Sequence, residues 1–106
     1  MEERFLFIKS KSKLHKINPL DILYIEGMDD YVSINLKNNT LKARMTMKHL
    51  LHQLNQEEFI RVHRSFIVPV KNIEAVGTKN IVVNGTEIPL GKNYSGEVLK
   101  IFKKEA

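Results

Sequence analysis

Residues 59–70 read FIRVHRSFIVPV, and the rest of the chain can be interpreted outward from this stretch. Apolar residues lie on both sides of a polar interruption that contains Arg61, His63 and Arg64. A buried strand does not carry such a set, because unpaired guanidinium groups are almost never fully buried. The apolar flanks can form short strands that hold the polar segment on a rigid support. We therefore expect this segment to face solvent or a partner.

The length and composition indicate one domain that covers residues 1–106 and can bury a core of its own. The absence of cysteine excludes disulfides, thiolate zinc sites and cysteine nucleophiles. Residues 1–4 lack the apolar run of a signal peptide, and no apolar segment approaches the length of a membrane span. These features favour a cytoplasmic protein with no membrane partner.

Positive charge is segregated along the chain. Lys and Arg total 17 against 12 Asp and Glu, a net charge of +5 at pH 7. Residues 4–20, 31–56 and 59–73 contain Lys or Arg but no Asp or Glu. A basic surface of this kind favours a polyanion, because neutralised phosphates release their condensed counterions. The solvated face of an ordinary basic protein is the alternative that charge alone leaves open.

Short apolar and alternating segments predict a mainly β fold with one or two short helices. Besides the flanks of residues 59–70, strands are expected at residues 5–8, 13–17, 22–25, 31–36, 40–45, 71–76, 81–83 and 86–90. A polar turn at residues 9–12 joins the first two strands. Asn84-Gly85 is the strongest hairpin signal, because both central positions of a type I′ turn need positive φ. Pro89 predicts an edge strand or a strand end.

Two helices complete the pattern. The first begins near Thr46, whose hydroxyl can cap it. Its apolar face contains four residues at helical spacing, Met47, Leu50, Leu51 and Leu54. The second begins near residues 94–95 and runs through Phe102, which makes residues 91–93 a loop between an edge strand and a helix.

No set of residues supports catalysis or metal binding. Ser65 follows His63 without an acid to orient the histidine, and no glycine-rich phosphate loop is present. His49 and His52 share a helical face but have no third ligand nearby, which favours a solvent-facing pair. The acidic cluster at residues 26–30 lacks the spacing of a calcium loop, which favours a polar hairpin loop. We therefore expect no enzyme activity, no metal and no cofactor.

We interpret Arg64 and the loop at residues 91–93 together as nucleic-acid contacts. Arginine and lysine on short loops can reach guanine edges or phosphates, and asparagine suits adenine. Structural roles are favoured for the two polar neighbours of Arg64. Arg61 can pair with the acids at residues 57–58, and His63 can hydrogen bond to the backbone.

On these residues, the chain resembles the LytTR-type DNA-binding domain, the output module of many bacterial two-component response regulators. Three segments carry the resemblance in the family's order and spacing, namely DILYIE at 21–26 followed by DYV at 30–32, FIRVHRSFIV at 59–68, and IPLGKNY at 88–94. The middle segment is the most specific of the three. The resemblance covers essentially residues 5–102.

The resemblance implies an elongated fold of short antiparallel sheets that inserts loops, and no recognition helix, into double-stranded DNA. Family members contact two successive major grooves and the minor groove between them. Applied to this chain, the resemblance implies DNA contacts by four residues: Asp30, Arg64, Lys92 and Asn93. Relatives can have a basic or neutral residue in the loop of Asp30. A carboxylate there can accept only from a donor such as cytosine N4.

The resemblance also implies binding to paired direct repeats, with a possible dimer on DNA. The resemblance further implies that the full regulator has a receiver domain, which a sensor histidine kinase controls. No receiver-like sequence is present in these residues, so an excised output domain is favoured over a short regulator. Two other functions stay open, a single-stranded nucleic-acid module with exposed stacking aromatics and a protein-interaction domain that uses the strand containing Pro89.

Overall fold

Short antiparallel strands account for most of the structure, a computed structural model that describes residues 5–105. Within that range the strands are β1 (Leu6–Ser10), β2 (Lys13–Ile17), β3 (Ile22–Gly27), β4 (Val32–Leu36), β5 (Thr40–Ala43), β6 (Phe59–His63), β7 (Phe66–Pro69), β8 (Ile73–Val76), β9 (Asn80–Val83) and β10 (Thr86–Pro89). The helices are α1 (Met47–Gln53) and α2 (Ser95–Glu105), and short 3-10 turns span Pro19–Asp21 and Val70–Asn72. The predicted fold class is confirmed, and each strand end predicted with a residue number lies within two residues of the observed end.

The β1–β2 hairpin is tighter than the predicted turn at residues 9–12. Lys9 and Ser10 extend β1, and only Lys11 and Ser12 form the turn. Both turn residues have positive φ, 51° and 66°, because the twist of a two-residue hairpin requires it. Neither residue is glycine, so each is held in a conformation that costs roughly 1–2 kcal/mol relative to ordinary backbone.

The polar interruption at the centre of residues 59–70 is also shorter than the sequence suggests. Arg61 and His63 lie within β6, and the turn to β7 consists of Arg64 and Ser65. The pairing register of β6 on β7 shifts between Arg61 and His63, a β-bulge. The bulge accommodates one extra residue, so β6 continues through its polar side chains up to the turn.

Five strands form the central sheet in the order β5-β4-β3-β7-β6. In the antiparallel registers, Gly27 lies opposite Val32, and Val32 lies opposite Ala43. Phe66, the first residue of β7, lies opposite both Glu26 and His63. The ends of β3, β5 and β6 and the starts of β4 and β7 therefore share one end of the sheet. We call it the loop end, because the connections 28–31, 44–46 and 64–65 all project from it.

Two apolar clusters support this sheet. One packs β1, β2 and α1 against β3, β4 and β5, with Ile8, Ile25, Ile34 and Leu50 almost fully buried. The other packs β8–β10 and α2 against β6 and β7, and contains Val62, Val68, Ile81, Ile88 and Val98. The central sheet is thus sandwiched between smaller layers, and the molecule measures 40 × 36 × 23 Å.

The remaining strands pair in the order β10-β9-β8. Asn84 and Gly85 form the predicted β9–β10 turn with φ of 52° and 76°, so this hairpin prediction is confirmed. Pro89 lies on β10, which is an edge strand as predicted. Within residues 5–105 there is no helix with the length and apolar character needed to cross a membrane.

Candidate nucleic-acid interface

Two of the predicted contact loops meet at the loop end through a backbone hydrogen bond. The amide of Gly27, the last residue of β3, donates to the carbonyl oxygen of Ser65 at 2.8 Å. The adjoining β3–β4 loop is closed by the amide of Met28, which donates to the carbonyl oxygen of Tyr31 at 2.8 Å. Because Asp30 lies in that loop and Arg64 precedes Ser65, the structure brings these two predicted residues to the same end of the sheet.

The third loop, residues 91–93, is attached to β6, an edge strand of the same sheet. The Gly91 amide donates to the carbonyl oxygen of Val62 in β6 at 2.7 Å. A Cβ atom on Gly91 would lie 3.4 Å from the Cα of His63, so the two backbones nearly touch. The loop that carries Lys92 and Asn93 therefore lies beside the turn that carries Arg64.

Local hydrogen bonds hold the loop at residues 91–93 against α2. The Tyr94 amide donates to the Gly91 carbonyl oxygen at 3.0 Å, and the Ser95 hydroxyl donates to the Lys92 carbonyl oxygen at 3.1 Å. The side chains of Lys92 and Asn93 are exposed. A fixed backbone thus presents a cation and an amide to solvent.

Arg61 and His63 hold the Arg64–Ser65 turn from inside the strand. The Arg61 Nη2 donates to the carbonyl oxygen of Arg64, and the Ser65 amide donates to His63 Nδ1 at 3.0 Å. The predicted structural role of His63 is confirmed. The predicted pairing of Arg61 with residues 57–58 is wrong, because its guanidinium reaches back to the turn instead.

Arg64 itself is exposed. Among the side chains of residues 5–104 the one ion pair joins Lys37 and Asp21 at 3.9 Å. Arg64 and Lys92 are therefore not neutralised by any carboxylate in the described part of the chain, which leaves both cations available to an anionic partner.

Asp30 is also exposed and neighbours Asp29. The adjoining residue, Tyr31, is half-buried, and its ring lies 5.6 Å from the Nζ of Lys42. No group of three His, Asp or Glu side chains in the described residues is placed to hold a metal ion. Asp29 and Asp30 thus present two adjacent exposed carboxylates in the loop between β3 and β4.

The loops follow one another in a row because the strand order fixes their sequence. Across the sheet they run from residue 44, which follows β5, through residues 28–31 and 64–65, to residues 91–93 beside β6. With about 4.8 Å between neighbouring strands, the five strands alone cover about 19 Å. The described residues therefore present a row of loops on a stiff support, with basic side chains toward both flanks.

The basic side chains around the β1–β2 hairpin form a feature that the sequence pattern did not reveal. Lys9, Lys11, Lys42 and Arg44 line a common groove with Tyr31. The sequence signal for these side chains is that residues 4–20 and residues 31–56 both contain Lys or Arg but no Asp or Glu. Sequence alone could not bring the two runs together, because β1 meets β5 only in the folded chain.

Comparison with known proteins gives one consistent family. A family model described as the LytTr DNA-binding domain matches residues 12–103. The sensory transduction protein LytT of Bacillus subtilis is 28% identical over 92 residues, which cover 81% of this chain and 38% of that protein. The transcriptional regulatory protein LytR of Staphylococcus aureus is 24% identical over 107 aligned positions, with 95% and 42% covered. The chain thus spans about two fifths of the length of these relatives.

A solved structure has the same fold. It is the LytTr DNA-binding domain of a putative methyl-accepting/DNA response regulator from Bacillus cereus, with a TM-score of 0.76 and 22% identity. The match covers 95% of this chain and 97% of that one.

Proposed function

Because this chain belongs to the LytTR DNA-binding domain family, we propose that it binds double-stranded DNA sequence-specifically through the loop end of its central sheet. One observation carries the proposal. The hydrogen bonds from Gly27 to Ser65 and from Gly91 to Val62 gather the loops that carry Asp30, Arg64 and Lys92 along one end of a rigid sheet.

The order of the loops supports a docking mode on successive grooves. The row has Asp30 on one side, Arg64 in the middle and Lys92 with Asn93 on the other side. If the outer loops enter two major grooves on one face of the duplex, the middle turn faces the minor groove between them. An arginine suits that position, because the strongly negative potential of a narrow minor groove attracts guanidinium groups.

The outer loops have the chemistry for reading base edges. Lys92 can donate to guanine O6 and N7, and Asn93 can form the paired hydrogen bonds that recognise adenine. Asp30 is repelled by phosphates and can accept from cytosine N4. These assignments make Lys92 and Asn93 readers of purines and Asp30 a reader of cytosine.

The wider role proposed here is transcription control by the output domain of a two-component response regulator. The names of the relatives, a sensory transduction protein and a transcriptional regulatory protein, support it. In this proposal a receiver domain and its sensor histidine kinase control the pairing of two copies on direct repeats in the cytoplasm. The single domain at residues 1–106 then acts by binding alone and performs no catalysis.

One observation favours a second candidate, binding to single-stranded nucleic acid. Phe5 and Phe7 are 37% and 55% exposed on the outer face of the β1–β2 hairpin, and the Lys16 Nζ lies 4.3 Å from the centre of the Phe5 ring. Exposed aromatic rings beside lysines are the composition of a base-stacking surface. Competition between duplex and single-stranded probes separates the two functions. Preference for the single strand would reject the first proposal.

The direct test selects bound fragments from a random duplex library and then compares a selected with a scrambled duplex. Arg64→Ala and Lys92→Ala should each lose about 1–3 kcal/mol on the selected duplex if they remove a base contact. Lys71→Ala is the matched control, because Lys71 is an exposed lysine at the opposite end of β7. A library with no enriched sequence, or unchanged affinity in both variants, would contradict the proposal.

A further inference from the structure

We propose that the tip of the β1–β2 hairpin, together with Lys42 and Arg44, binds the phosphate backbone of the duplex next to the segment that the loop end contacts. This inference rests on the proposed DNA binding and extends it to a surface beyond the predicted contact residues. The groove between the hairpin and β5 would then hold backbone phosphates and read no bases.

The hairpin is fixed to the central sheet at the place where the row of loops begins. The Ser10 side chain is buried, and its hydroxyl donates to the carbonyl oxygen of Lys42 in β5. Arg44 follows β5 directly, and Tyr31 belongs to the β3–β4 loop. Lys11 lines one groove with Tyr31 and Arg44, so the hairpin tip continues the loop end past the β5 edge.

The charge of this groove is of one sign. Its charged lining residues are Lys9, Lys11, Lys42 and Arg44. A second groove that shares Ser10, Lys11 and Lys42 with the first adds Lys13 and His15 and again contains no carboxylate. Among the side chains of residues 5–104 the one ion pair is remote, between Lys37 and Asp21. A duplex lying here would exchange its condensed counterions for these fixed cations.

The conformation of the hairpin tip supports a functional reason for the lysine. Lys11 and Ser12 occupy two consecutive positive-φ positions, where the β9–β10 hairpin has Asn84 and Gly85. Asparagine and glycine are the residues that such turns favour, so the first hairpin departs from the turn chemistry that the second one follows. Strained backbone of this kind concentrates at functional sites. Here the departure places an ammonium group at the outermost point of the hairpin.

Phosphate is the chemistry that this groove fits. Three of the four cations in the first groove are lysines, which act as flexible point charges, whereas planar base edges are better matched by the fork of an arginine. The groove is open and its lysines are exposed, so they can follow a backbone without a fixed pocket. Contacts of this type strengthen binding equally for every sequence.

The test is the double variant Lys11→Asn/Ser12→Gly, which gives the first hairpin the turn residues of the second. Because the new residues suit positive φ, the melting temperature should rise, on the order of 5 °C. Affinity for the selected and the scrambled duplex should fall by the same factor, up to roughly eightfold at about 0.1 M salt. The salt slope should fall by about 0.9, as expected for one lost phosphate contact. Arg44→Gln should lower the slope in the same way, and Lys71→Asn should not change it.

If the double variant is more stable than the original chain but binds DNA more weakly, unfolding cannot be the cause of the weaker binding. If both variants keep the affinity and slope of the original chain while Arg64→Ala still weakens binding, this inference is overturned and the proposed function stands. Arg44→Gln decides the matter if the double variant does not fold. Failure of the original chain to bind any duplex overturns the proposed function and this inference together.

Discussion

The amide of Gly91 donates a 2.7 Å hydrogen bond to the carbonyl oxygen of Val62, and this contact joins two parts of the chain that are far apart in sequence. Val62 is fully buried on β6, which is one of the two edge strands of the central sheet. The loop at residues 91–93 is thus attached to a rigid support one residue before His63. The relative position of Lys92 and Arg64 depends on this attachment.

Replacement of Gly91 tests whether the attachment matters for binding. In Gly91→Ala the new Cβ would lie 2.8 Å from the Tyr94 Cδ2, so the Tyr94 ring or the loop must shift, and 3.4 Å from the His63 Cα, which is ordinary contact. We expect a loss of stability of about 1–3 kcal/mol and weaker binding to the selected duplex. Thermal melting and fluorescence anisotropy measure the two effects.

Gly96→Ala is the matched control for this variant. A Cβ at residue 96 meets nothing within 4 Å, and alanine is the better helix former by up to about 1 kcal/mol. This control should keep or raise stability and leave DNA affinity unchanged. If Gly91→Ala behaved like the control, the close packing of Tyr94 against Gly91 would be irrelevant to binding.

Replacing Arg64, in the middle of the row, by lysine should separate the contribution of its charge to binding from that of its planar shape. Arg64→Lys keeps the charge but loses the planar fork of donors. We expect affinity for the scrambled duplex to stay near that of the original chain, while affinity for the selected duplex falls by about 1–3 kcal/mol. Parallel titrations of both duplexes give the ratio. If the lysine variant and the original chain bound the selected duplex with equal affinity, Arg64 would contact phosphate and no base.

His63 should act on the turn and not on DNA directly. His63→Phe keeps a ring near Phe66, whose centroid lies 5.8 Å away, but removes the Nδ1 acceptor of the Ser65 amide. The unpaired amide should cost about 1 kcal/mol of stability, and its hydrogen exchange should become several-fold faster. Amide exchange measured by NMR checks this. His52→Phe, at an exposed site on α1, serves as the control and should leave Ser65 exchange as it was.

The sequence predicts the elements of this fold well where local chemistry determines them. Asn84 and Gly85 identify their hairpin because few other residues accept positive φ. Thr46 identifies the start of α1, and its hydroxyl indeed accepts from the His49 amide at 3.0 Å. Lys11 and Ser12 have no such preference, so the exact turn could not be found from the sequence.

The arrangement of the candidate site is less accessible from sequence, because long-range pairing produces it. The bulge between Arg61 and His63 moves those side chains into β6, whereas the residue pattern suggested a longer polar turn. The approach of Gly91 to Val62 depends on how the two hairpin systems pack. The sequence could therefore name Arg64 and Lys92 as candidates, but their proximity follows only from the folded backbone.

Replacing Asp30 distinguishes electrostatic repulsion from base recognition, because the negative charge of Asp30 opposes binding to any DNA sequence. In Asp30→Asn the repulsion of phosphates disappears, so affinity for the scrambled duplex should rise a few-fold. If the carboxylate accepts from cytosine N4, affinity for the selected duplex should fall by about 1–3 kcal/mol in the same variant. Asp29→Asn removes an equal charge from the neighbouring exposed residue and should raise both affinities together. Titrations of the two variants against both duplexes decide the role of Asp30. A parallel rise in Asp30→Asn would mean that this carboxylate reads no base and only weakens the contact of its loop with the backbone.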